Sequence, residues 1–171
     1  VNPSARSYRY VGPPELRPTV RPDTAGRIVR AADDLAVWLS ERGQSESAEP
    51  FTFVVALDGL LRLAPRRSEH VACAGGDDVL AAGEMGFRRG SGRWTVHEVT
   101  NQSTGYCPDL DSWHAVARAL DRAGIDHPGR FTHEIVFRRC ERCQERSVVR
   151  EGDFVCVFCG SALPSAWNLA P

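Results

Sequence analysis

The sequence predicts an α+β fold, a mainly antiparallel sheet of about five strands carrying two principal helices and closed by a C-terminal four-cysteine unit. Three observations predict it. Apolar residues recur at helical spacing in two separate stretches, around Leu35 and around Trp113. Short runs rich in β-branched and aromatic residues flank Asp58-Gly59 and Gly90-Ser91-Gly92, the mark of hairpins. Two Cys-x-x-Cys pairs stand near the end of the chain. With 171 residues, the chain is most simply one domain able to bury roughly 70% of its unfolded surface, so no disulfide scaffold is needed.

Residues 1–22 hold Pro3, Pro13, Pro14, Pro18 and Pro22 among Arg6, Arg9, Arg17 and Arg21. Proline fixes φ and removes an amide donor, so this segment is expected as an extended arm, either a mobile tail or a strap across the body. A partner-binding arm is the sharper alternative, because proline-rich segments also serve as ligands. Residues 23–171 form the single α+β domain. Asp23 or Thr24 can cap a helix running to about Arg42, with Gly43 as the stop. Ile28, Ala32, Leu35 and Leu39 lie on its packing face, widened by Trp38. Gly43 to Pro50 reads as a polar loop.

FTFVVALD and LLRLAP then form the first hairpin, and DVLAAGEMGF with RWTVHEV the second. Two registers are open for the second. A three-residue turn opposes Glu84 to Glu98, two carboxylates that would need an arginine, a shared proton or a metal. A two-residue turn sets Phe87 against Val96, and this better apolar pair favours it. After the strand comes TNQSTGYCPD, where Pro108 stops the extended run and Asp109 caps a second helix with Leu110, Trp113, Ala117 and Leu120 as its stripe. Gly124 ends that helix before FTHEIVF, expected as a further strand.

Cys140 and Cys143 are separated from Cys156 and Cys159 by twelve residues. Two such pairs make knuckles that can close a sulfur tetrahedron around one ion, and SVVREGDFVCV turns about Glu151-Gly152 to bring them together. Residues 138–161 resemble the zinc-ribbon proteins. Gln144 departs from the resemblance, standing where the first knuckle often has Gly. The resemblance implies one structural Zn²⁺ per chain, since four protein ligands leave no position for water or substrate. Iron or a pair of disulfides fits the short separation and a reducing compartment less well. Arg138, Arg139, Arg142 and Arg146 are placed to offset the net negative charge of a tetrathiolate. The ribbon follows a strand without a linker, so it is expected to pack on its own domain.

A formal charge of −1 gives the whole chain no electrostatic claim on nucleic acid or anionic membrane. All 21 basic residues are Arg, a bias that makes any one cluster weaker evidence for phosphate binding. Neither a membrane span nor a signal peptide is visible, and a cytoplasmic protein is expected. The absence of a starting Met suggests that something has been removed there.

Function is expected in one of two classes. The first is a binding or adaptor protein recognising a protein partner through the arm, the ribbon hairpin or the terminal SALPSAWNLAP. Nucleic acid ranks lower, with Arg138 to Arg150 as its basic stripe. The second is an enzyme with a small-molecule or peptide site at NQSTGYCPD, using Cys107 as nucleophile or Tyr106 and Glu84 as acid and base. His70, His97 and His114 are candidate bases for that reading. Cys107 at a helix start would gain from the dipole, whereas Cys73 in ACAGG reads as an inert small hydrophobe. Asn101, Ser103 and Thr104 could equally satisfy backbone groups at a sheet edge. The run from EHVACAGGDDVLAAGEMGF to NQSTGYCP also resembles small uncharacterised bacterial domains with AGE followed by N-x-S-G-H-Y-x-P. Glu84, Asn101, Ser103, Tyr106 and Pro108 match, and Thr104-Gly105 replaces Gly-His. That likeness, over residues 69–124, implies no activity.

Overall fold

In the computed structural model, which describes residues 6–169, the first strand is β1 (Arg27–Val29), followed by helix α1 (Ala32–Ser40). The expected helix start at Asp23 or Thr24 is therefore corrected. Thr24 closes a turn instead: its hydroxyl oxygen accepts the Arg21 amide at 2.9 Å and donates to the Thr19 carbonyl at 2.8 Å. Ile28 and Val29 are β-branched and pair with a neighbouring strand, which wins over helical continuation. The helix begins only where the Asp34 carboxylate takes the amides of Arg30 and Ala31 at 2.8 and 3.2 Å. Leu35, Trp38 and Leu39 are its buried face. The Gly43–Pro50 loop contains one helical turn, α2 (Gln44–Ser47).

Strands β2 (Phe51–Ala56) and β3 (Leu61–Ala64) form the hairpin expected around Asp58-Gly59. A short helix α3 (His70–Cys73) leads to β4 (Val79–Gly90) and β5 (Arg93–Val99). Their turn holds two residues, Ser91 at φ 51 and Gly92 at φ 78, the doubly positive conformation that suits strand twist. Phe87 accordingly faces Val96, and Glu98 faces Gly86 rather than Glu84. The sheet runs β1-β3-β2-β4-β5, antiparallel at every ladder.

Both faces are covered. On one, Phe51, Phe53, Val55, Met85 and Phe87 pack with α1 and with α4 (Trp113–Ala123), and Trp38 meets Phe51 edge-on at 4.5 Å. The stripe of α4 lies one position round from expectation, with Ala115, Val116, Ala119, Leu120 and Ala123 buried and Leu110 and Trp113 partly so. Asp109 caps the 3₁₀ turn Leu110–Ser112 that precedes the helix, and Gly124 ends it left-handed at φ 68. On the other face α3, Tyr8 and Tyr106 cover Val54, Val79 and Ala82.

FTHEIVF is not a strand of this sheet. Thr132 receives the Val99 amide on its hydroxyl at 2.8 Å, and Asn101 takes the backbone of Ile135, so side chains occupy groups a ladder would have used. One parallel bridge, Thr100 to His133, is all that pairs there. Regular pairing resumes in β6 (Phe137–Arg139) and β7 (Arg146–Val148).

The described part of the arm is a strap. Tyr8 is buried and bridges Val79, while Pro14–Thr19 forms a 3₁₀ helix where extended chain was expected. Residues 1–5 of the arm, with Pro3, and residues 170–171 of the terminal tail lie outside the described residues.

Candidate metal centre and the loop beneath it

Each knuckle is a tight turn held by the same bond. The Gln144 amide donates to the Cys140 carbonyl and the Gly160 amide to the Cys156 carbonyl, both at 2.9 Å. Both donors are left-handed, Gln144 at φ 63 and Gly160 at φ 73. The first knuckle is thus as regular as the second, although Gln has a Cβ that resists this conformation by roughly 1 kcal/mol or more. The Gln144 amide side chain donates to the Glu141 carbonyl at 2.7 Å and helps hold the turn. Glu151 at φ 51 and Gly152 at φ 77 form the hairpin between the knuckles.

These turns bring the four sulfurs within 4.8 Å of one another, with Cys140 to Cys159 and Cys143 to Cys156 each 3.6 Å apart. A tetrahedron with metal–sulfur bonds of about 2.3 Å has edges of about 3.8 Å, so the cluster fits one ion. All six cysteines of the chain are free thiols, which removes the disulfide alternative. Cys140 and Cys156 are buried, Cys143 half-buried and Cys159 exposed.

The Ser161 hydroxyl, and after it the Ser161 amide, hold the Cys159 thiol below its ordinary range. At Cys156 burial pushes upward, but the amides of Cys159 and Phe158 outweigh it. Amides and a hydroxyl thus favour thiolate at Cys156 and Cys159, whereas at Cys143 the Glu145 amide pulls downward but desolvation and crowding by the other three sulfurs push the thiol up instead. The arginines expected to offset the charge do other work. Arg138 is buried and donates to the carbonyls of Pro164, Ser165 and Phe137 at 3.1, 2.7 and 2.8 Å, tying down the terminal tail. Arg139 and Arg142 donate to Gln144 and Ser161 oxygens, and Arg146 to the Thr104 carbonyl at 2.8 Å. A guanidinium fork is drawn to fixed carbonyls as readily as to diffuse charge on sulfur.

The TNQSTGYCPD loop is the floor on which this unit rests. Asn101 is fully buried and donates to the Pro108 and Ile135 carbonyls at 3.0 and 2.7 Å while accepting the Ile135 amide at 2.7 Å. It acts as a surrogate strand neighbour. Asn168 does the same for Arg139, giving and taking one bond of 2.8 Å each. The Ser103 hydroxyl accepts the Tyr106 amide, and the Cys107 carbonyl accepts the Trp167 indole N–H at 2.9 Å. Cys107 packs with Phe137 and Leu169, joining sheet, ribbon and tail.

The candidate catalytic residues are placed as follows. Tyr106 is buried and its hydroxyl donates to the Asp77 carbonyl at 2.7 Å, with burial pushing its pKa up. His70 Nε2 is 2.9 Å from the Gly83 carbonyl, and burial lowers its pKa. The Cys107 thiol reaches the Thr104 carbonyl at 3.4 Å, and burial pushes it up to about 11 although Arg146 lies 4.0 Å away. Glu84 is half-buried on β4, opposite Thr52. Tyr106 and Cys107 belong to different clusters, and the open groove of about 990 Å³ beside α1 is lined by none of the four. His114 is exposed, and His97 lies 3.9 Å from Glu98.

Sequence reasoning missed Ser161, Asn168 and the tail-clamping role of Arg138. Only Ser161, adjoining the Cys-x-x-Cys-Gly pattern, stood where a motif pointed. It also missed that Val155, Val157 and Phe158, around the second knuckle, are exposed at 40%, 52% and 64%. No family model, curated protein or solved structure matches the chain.

Proposed function

We propose that this is a binding or adaptor protein in which a structural Zn²⁺ on Cys140, Cys143, Cys156 and Cys159 builds a ribbon that recognises a protein partner. The observation that carries the reading is the exposed apolar tip of the second knuckle, Val155, Val157 and Phe158. Exposed aromatic and aliphatic side chains held on a rigid turn cost little entropy to bury against another protein. Zinc fits four thiolates with short knuckle spacing, and its role there is to fix the turns. A protein partner ranks above nucleic acid because the chain has a formal charge of −1 and several ribbon arginines already serve backbone carbonyls. The Tyr106 hydroxyl, His70 Nε2 and the Cys107 thiol each meet a backbone carbonyl rather than one another, which weighs against the enzymatic alternative.

A photo-crosslinker in place of Phe158, compared with one in place of exposed Leu57, tests this in cells. The expected result is a discrete protein adduct only at the knuckle, competed by unlabelled protein but not by its Phe158→Asp variant. Steeply salt-dependent binding of labelled nucleic acid, with no protein adduct, would reverse the order.

A further inference from the structure

The groove beside α1 lies far from any role in the ribbon reading and has a chemistry of its own. Its volume is about 990 Å³, and it runs between α1, the turn before β1 and the chain leaving β3. Five arginines line it, Arg21, Arg27, Arg30, Arg42 and Arg67, against three acids. Two of those acids are engaged, and of the arginines Arg27 is itself paired with Glu41 at 3.6 Å. Asp23 pairs with Arg21 at 3.2 Å, and the Asp34 carboxylate is occupied by the amides at the start of α1.

Arg42 is the distinctive residue. Its guanidinium lies over the buried Trp38 ring at 4.1 Å, with the side chain 19% exposed. Among the described residues none of its side-chain nitrogens makes a hydrogen bond; the buried Nε faces the Glu46 carboxylate as an ion pair at 3.7 Å, and the two Nη groups of the fork have no hydrogen bond. Stacking fixes the plane of the fork without using its donors, which is how an arginine is pre-organised for a planar or tetrahedral oxyanion. Arg30 and Arg67 are exposed on the same groove and have no acid within 4.0 Å among the described residues.

We infer that this groove binds a small polyanion, phosphate- or carboxylate-bearing, with Arg42 as the fixed fork and Arg30 and Arg67 as converging charges. The inference is independent of the ribbon and of any partner it recognises.

Calorimetric titration of the intact protein with pyrophosphate and, separately, citrate at constant ionic strength tests it. One saturable site is expected for at least one probe. Saturation by pyrophosphate alone assigns a phosphate ligand, by citrate alone a carboxylate ligand, and by both the shared oxyanion chemistry. Arg30→Ala/Arg67→Ala should weaken binding about tenfold or more, the worth of one charged hydrogen bond, and Arg42→Lys should do likewise because it keeps the charge but loses the fork. Arg88→Ala/Arg89→Ala removes the same charge from the exposed hairpin tip and should leave binding within about twofold. No saturation with either probe would overturn the inference. So would equal weakening in both double variants, or wild-type binding by Arg42→Lys.

Discussion

The sheet body and the cysteine ribbon are built on opposite principles within one chain. In the body, Phe51, Phe53, Leu61, Met85 and Leu120 are fully buried in one contiguous cluster between sheet and helices. Around the metal centre, the buried cluster is only Cys140, Cys156 and Leu163, with Cys143, Val149 and Phe154 partly covered. Apolar burial at about 25 cal/mol per Å² can hold the first together and is far too scarce for the second. The ribbon is therefore expected to depend on an ion held by its four cysteines, and the body is not. Between them lies the Asn101–Cys107 loop, whose polar side chains join the two without belonging to either core.

The strongest way to break this contrast is to remove the ion. Chelation, or Cys140→Ser, should unfold residues around 138–163 while β1 to β5 stay folded, because structural zinc in small units contributes on the order of 10 kcal/mol or more. Amide exchange read by mass spectrometry would show it, and simultaneous loss of the sheet would refute the separation. Acid should act in the same direction, since thiolates that bind metal become thiols that do not.

A core truncation tests the other half. Phe53→Ala should destabilise the body by about 3–5 kcal/mol in a denaturant titration and leave metal content unchanged in whatever protein stays folded. Asn101→Ala comes next. It leaves the Ile135 and Pro108 backbone groups without their partner, at a cost of about 1–3 kcal/mol, and should raise exchange in the ribbon as well as in the loop.

Thiol labelling sharpens the contrast further. Cys73 and Cys107 should react slowly with an alkylating reagent at neutral pH, because burial pushes them up to about 12 and about 11. The four ribbon thiols should react quickly once the metal is withdrawn. Fast labelling of Cys107 in the metal-loaded protein would restore the enzymatic alternative. The same two thiols ionise near 9.0 when exposed, so their contribution to stability is complete below that pH and is lost as pH rises through about 11 and 12. The smallest effect is expected of Gln144→Gly, which relieves a left-handed Cβ but loses the bond to Glu141, for a net gain of about 1 kcal/mol or less, read as slower metal release.

The same division explains what the sequence disclosed. Both hairpins and both knuckles were readable because Asp58-Gly59, Ser91-Gly92 and the Cys-x-x-Cys pairs act within a few residues. Strand β1 was not, since three residues owe their conformation to β3, whose partners lie more than thirty positions on. FTHEIVF misled because its alternation is that of a strand, while Asn101 and Thr132 divert the backbone bonds by contacts spanning 34 and 33 positions. The sulfur ligands were plain from spacing alone. The work of Arg138 was hidden, because an arginine beside a thiolate and one beside a carbonyl look alike in one dimension.

The central claim is that one ion on Cys140, Cys143, Cys156 and Cys159 completes a ribbon that the apolar body cannot complete for it. Elemental analysis of purified protein, paired with amide spectra before and after chelation, tests it most directly. The prediction is one zinc per chain, with chelation erasing the ribbon signals and sparing those of the sheet. Folded protein with no stoichiometric metal and an intact set of ribbon signals would contradict it.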